Sequence, residues 1–148
     1  MTDADSQPSG YPIVIELPVQ WGDQDAFGHV NNTIYFRWFE SSRIAYLERL
    51  GLAHKSVGSG SLGPILAAMT CNYRRQLWYP DRVRIGARVA RVGRTSMTLE
   101  HAVWSTAHSA LAADATSTVV VYDYEASRPR PVPDEIRAAV AALEGEAR

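Results

Sequence analysis

Residues 21–32, WGDQDAFGHVNN, crowd two carboxylates (Asp23, Asp25), an imidazole (His29) and two amides (Asn31, Asn32) around Gly28. These groups permit three uses. The first is a turn: Asp, Gly and Asn form turns, Asn31 and Asn32 can cap a helix, and Gly28 can supply a positive φ. The second is a metal site with Asp23, Asp25 and His29 as ligands. The spacing matches neither an EF-hand loop nor an HExxH helix, so no metal is expected. The third is acid–base or nucleophilic chemistry on a carbonyl. A carboxylate beside a helix N-terminus lies next to backbone N–H groups that the helix leaves unpaired. Those donors and the helix dipole can hold an oxygen that becomes negative, while the carboxylate attacks or activates water. Turn formation explains the glycine and the amides, but not both acids together with His29.

The flanking sequence must position this stretch. YPIVIELPVQW (11–21) is apolar and β-branched and reads as a strand, at an edge or interrupted because of Pro12 and Pro18. From Asn32 to Leu50 one helix face recurs every three or four residues, through Ile34, Tyr35, Trp38, Phe39, Ser42, Ala45, Tyr46, Arg49 and Leu50. A helix is expected there, stopped at Gly51, with Arg37, Glu40, Arg43 and Glu48 mostly outward. Residues 53–63 are rich in Gly and Ser and read as a loop, expected to border the pocket entrance. Strands are expected at 65–77, 82–94, 96–105 and 110–124, the middle two alternating cleanly. Their short connections predict an antiparallel meander. A proline-rich break (127–133) overlaps the start of a short C-terminal helix (132–145) with Ile136, Val140 and Leu143 as its stripe. The expected fold class is α+β, with one domain expected over 11–148 behind a tail (1–10) expected to be disordered, and a long helix packed on one antiparallel sheet.

Bulk properties narrow the partners. The net charge of -1 offers no field for nucleic acid or an anionic membrane. Cys71 is alone, so no internal disulfide can form. The acidic, polar start does not resemble a secretory signal, and no apolar run approaches a membrane span. A cytoplasmic location is the expectation.

WGDQDAFGHVNNTIYFRWFESSRIAYLERLG (21–51) strongly resembles the N-terminal motif of hotdog-fold acyl-CoA thioesterases of the 4-hydroxybenzoyl-CoA thioesterase type. The order of elements over about residues 13–125 is similar to that fold, a central helix wrapped by a curved antiparallel sheet. The resemblance implies hydrolysis of an acyl-CoA, or of an acyl-carrier-protein thioester, without a cofactor. It makes Asp25 the catalytic carboxylate, and backbone N–H groups near Asn31 and Asn32 the donors that polarise the thioester carbonyl. His29 resembles the histidine of the family's His-Val-Asn-Asn variant. Ala26 departs from the family's usual proline. The resemblance also implies a site built between two subunits, hence a homodimer or homotetramer, with the 11–21 strand or a sheet edge at the interface.

Further residues are expected around the substrate. Asp23 holds the turn through backbone N–H groups, Gly28 lets backbone approach the substrate, and Tyr35 is a candidate wall of the pocket. Arg74, Arg75, Arg91 and Arg94, at strand ends, are candidates for the CoA phosphates. His101, on an apolar strand face, reads as a satisfied core histidine; His54 and His108 lie in loops. Two other activities fit the same residues. A hotdog enoyl-CoA hydratase would use Asp25 and His29 as an acid–base pair, and a non-catalytic acyl-CoA-binding protein would use neither.

Overall fold

In the computed structural model, which describes residues 8–52 and 62–146, strand β1 (Ile13–Pro18) enters a 3-10 turn (Trp21–Asp23) and then helix α1 (Asn32–Arg49). Strands β2 (Leu62–Tyr73), β3 (Arg82–Val92), β4 (Ser96–Ser105) and β5 (Ala110–Asp123) follow. A two-residue strand β6 (Arg128–Pro129) and helix α2 (Asp134–Glu146) end the described chain. The loop expected at 53–63 lies outside the described residues as far as 61. Leu62 and Gly63 already belong to β2, paired with Asp123 and Tyr122.

All pairings are antiparallel, in the order β1-β3-β4-β5-β2, with β6 on β5. β1 is an edge strand, the position in which its Pro18 is tolerated. The expected four-strand meander holds only for β3, β4 and β5. β2 does not neighbour β3; it takes the free edge of β5. The connection between β2 and β3 explains the crossing. The Arg74 and Arg75 N–H groups both donate to Ala112 O of β5. Leu77 is then fully buried, and its carbonyl accepts the Val30 N–H just before α1.

Helix α1 lies chiefly across β1, β3 and β4. The inward residues Val83, Ile85 and Ala87 of β3, and Met97, Leu99 and Val103 of β4, meet it as the alternation predicts. Two apolar clusters result. One, around Tyr35, Trp38, Phe39, Leu77, Val83 and Val103, underlies the 21–32 turn. The other, around Tyr46, Leu47, Met97, Val119 and Val121, is closed by Ile136, Val140 and Leu143 of α2. Arg43 is not outward as expected. It is 7% exposed, and its guanidinium reaches Met69 Sδ at 3.7 Å. The apolar face of α1 is wide enough to cover its aliphatic stem. No helix among the described residues is long and apolar enough to cross a membrane.

A polar layer separates the two clusters. Ser42 donates to Phe39 O (3.0 Å), so its Oγ accepts from His101 Nδ1–H at 2.9 Å. His101 Nε2 then accepts from the Ser117 hydroxyl, also at 2.9 Å. All three residues are fully buried, and His101 is the satisfied core histidine expected. Burial, with the nearby Arg43 charge second, lowers its pKa to about 3. The unfolded chain therefore binds more protons between about pH 3 and the ordinary histidine value of about 6.5. This contribution is intact above that window and is lost as pH falls through it. From pH 7 to pH 5 the protein should lose about 2 kcal/mol more than a His101→Gln variant. Urea titrations at the two pH values measure this; equal losses would show that His101 does not control acid stability.

Candidate active site

The 21–32 stretch folds as a chain of local hydrogen bonds. Asp23 Oδ2 accepts the Gln20 N–H at 2.8 Å, and Asp23 O accepts the Asn31 N–H at 2.9 Å. Asp23 thus ties both ends of the turn, the structural part of its expected role, and it does not line the adjacent cavity. The Asp25 N–H donates to His29 O (3.0 Å), the Gly28 N–H donates to Asp25 O (3.1 Å), and Asp25 Oδ1 accepts the Phe27 N–H at 2.8 Å. Gly28 sits at φ +88 with open space where a Cβ would stand. The left-handed backbone, not a close approach to a neighbour, demands glycine here.

The start of α1 sorts the two asparagines. Asn31 is the N-cap: its Oδ1 accepts the Thr33 N–H and hydroxyl, each at 3.0 Å, and its carbonyl accepts the Ile34 N–H at 3.0 Å. The Asn31 N–H is spent on Asp23, the Val30 N–H on Leu77 O, and the Thr33 and Ile34 N–H groups on Asn31. The Asn32 N–H has no partner among the described residues. It is a helix-start donor without a partner there, at the end of α1 where the dipole favours negative charge.

Asp25, His29, Asn32, Tyr35, Arg74 and Arg75 line one cavity of about 480 Å³. Tyr73 and Gln76, which the sequence reading did not single out, line it too. Tyr73 donates its hydroxyl to Asn32 O at 3.0 Å and meets the Tyr35 ring edge-on at 5.1 Å. Tyr35, almost fully buried, donates weakly to Arg75 O at 3.4 Å, and burial pushes its phenol pKa up, so it stays protonated. In sequence Tyr73 was legible only as the polar end of a strand; its place follows from β2 lying beside β5. Trp38 packs in the core.

The four arginines divide. Arg74 Nε lies 2.8 Å from Asp114 Oδ2, and that hydrogen bond holds the Asp114 carboxyl below its ordinary pKa. Arg75 Nη2 lies 3.3 Å from His108 Nδ1. Arg91 and Arg94 stand at the far end of the sheet, beyond the Ala87–Ile13 pair, where Arg94 O accepts the Val132 N–H. Within one chain they do not reach the cavity. Among the described residues, no three His, Cys, Asp or Glu side chains converge as a metal site.

An antiparallel sheet wrapped on a central helix is the hotdog architecture of thioesterases. The chain matches the Thioesterase-like superfamily over residues 19–140 and belongs to it. It is similar to a thioesterase from Thermus thermophilus, solved in complex with coenzyme A and Zn, at 32% identity and a TM-score of 0.79, covering 93% of this chain and 98% of that one. A thioesterase-superfamily structure from Jannaschia sp. CCS1 is 29% identical with a TM-score of 0.85, covering 97% of this chain and 89% of that one. The protein YsmA of Bacillus subtilis is 30% identical over 86 residues, 58% of this chain and 56% of its own length.

Proposed function

We propose that the protein hydrolyses an acyl-CoA thioester to a carboxylic acid and free CoA. One observation carries this reading: Asp25 and Asn32, whose N–H has no partner among the described residues, line the same cavity. The thioester oxygen accepts from the Asn32 N–H, which strengthens as that oxygen becomes negative. Asp25 then attacks the carbonyl carbon, or takes a proton from the water that does. Either route consumes one water and releases the thiol. His29 lines the same cavity, and its carbonyl accepts the Asp25 N–H.

The dimer belongs to the same proposal. β2 is a long edge strand that α1 covers little, with Ile65 and Leu66 exposed, so a second copy pairing there would close the edge. Light scattering of the active protein should read a dimer or larger; an active monomer would remove this part.

The deciding experiment is thiol release across short, medium, long and aryl acyl-CoAs, run beside the absorbance of an enoyl-CoA. Thiol release from at least one ester is expected. Loss of enoyl absorbance without thiol would mean a hydratase, and binding with neither signal a CoA-ester-binding protein.

A further inference from the structure

We infer that Arg75, His108 and Trp78 take the nucleotide end of the CoA ester: Arg75 and His108 hold a phosphate, and Trp78 stacks the adenine. This assignment rests on the acyl-CoA reading above. Of the arginines near the cavity, Arg74 has its charge cancelled by Asp114, which also accepts from Asn72 at 2.9 Å. Arg75 has no carboxylate among the described residues, and its side-chain partner is a neutral ring. A guanidinium can only donate, so His108 Nδ1 accepts and Nε2 carries the proton. The pair therefore presents one uncancelled positive charge, most of the arginine fork and an imidazole N–H, which suits a phosphate.

The third member is aromatic. The Trp78 ring lies 4.6 Å from the His108 ring at 62°, and Trp78 is 42% exposed. A T-shaped contact occupies at most one indole face, so with this exposure Trp78 can still offer aromatic surface to a base. The three side chains lead outward: Arg75 is in the cavity wall, while His108 and Trp78 stand outside it. A carboxylate on the acyl group would need only the cation. A cation next to an open indole, on the outward side of the reacting end, matches a molecule that carries phosphate and adenine together.

The group is held in place from below. Asp81, 8% exposed, accepts from the Ser105 hydroxyl (2.6 Å), the Ala107 N–H (2.9 Å) and the Arg82 N–H (2.7 Å). Ser105 Oγ in turn accepts the His108 N–H at 3.1 Å. The Arg75 N–H is fixed to Ala112 O at 3.0 Å. Both backbones are thus preorganised before a ligand arrives.

The test compares Arg75→Gln, His108→Leu and Trp78→Leu on one acyl group carried by CoA and by pantetheine, which lacks the nucleotide. Each variant should raise KM about ten-fold or more for the CoA ester, leave its kcat nearly unchanged, and leave the pantetheine thioester within about two-fold. Equal losses on both substrates, or no loss on either, would overturn the assignment. Binding of adenosine 3′,5′-bisphosphate, followed by tryptophan fluorescence in the wild type and the Arg75 and His108 variants, reads the subsite without catalysis. If the wild type releases no thiol but binds this nucleotide, and both variants bind it at least about ten-fold more weakly, the hydrolase reading fails and the subsite stands. If the wild type does not bind it, the subsite falls.

Discussion

Asp25→Asn should fold, bind acyl-CoA and lose about 10²-fold or more of kcat, the scale of a missing general base. The substitution is nearly isosteric. Asp25 Oδ1 accepts the Phe27 N–H, and an asparagine oxygen can accept it equally, so the turn should survive. What disappears is the negative charge, and with it both nucleophile and base. Asp23→Asn provides the contrast. Asp23 is spent on the Gln20 N–H and does not line the cavity, so its loss should appear in stability more than in kcat. His29→Gln should cost less than Asp25→Asn if the imidazole only positions the motif. Single-turnover thiol release with a saturating ester separates these outcomes. An Asp25→Asn enzyme with the wild-type rate would return the 21–32 turn to a purely structural role.

Asn32→Pro should cost about 10²- to 10³-fold in kcat, the effect of deleting one oxyanion donor. The expectation comes from an unusual compatibility. Asn32 is the first residue of α1, a position where proline is well tolerated because its absent N–H would be unpaired in any case. The preceding residue must then be extended, and Asn31 already is, at φ -60 and ψ 139. The fold should keep its helix content and melting temperature while the donor vanishes. The Asn32 carbonyl, which accepts from Tyr73, is retained. Asn32→Ala keeps the N–H and should lose far less. If Asn32→Pro is well folded and as active as Asn32→Ala, the carbonyl is polarised elsewhere.

Much of this protein was legible along the chain. The helix face from Ile34 to Tyr46 encodes α1 because a 3.6-residue period can bury only one stripe. The alternation in 82–89 and 97–103 likewise separates inward from outward residues in β3 and β4. His101 falls on an inward position of that alternation, so its burial followed, although its serine partners did not. The crowded turn was legible for the same kind of reason. Its bonds are local, from Asp23 to Gln20, Asp25 to Phe27 and Asn31 to Thr33, and local bonds leave their mark in spacing.

Other features had no such mark. A period of two says which way a side chain faces, not which strand lies beside it, so the place of β2 against β5 waited for the sheet to assemble. That pairing brings Tyr73 to Asn32 and sets Arg74 against Asp114, 40 residues away, while Arg75 turns to His108. Four arginines that look alike in sequence thereby acquire different charges to answer, and two of them stand at the other end of the sheet. The free donor was decided in the same way. Asn31 and Asn32 are the same residue in adjacent positions, but the Asn31 N–H meets Asp23 O and the Asn32 N–H meets no partner among the described residues. Residue type and spacing determined which groups could react; which of them stay unpaired, and so able to meet a substrate, depends on partners that only folding brings within hydrogen-bond distance.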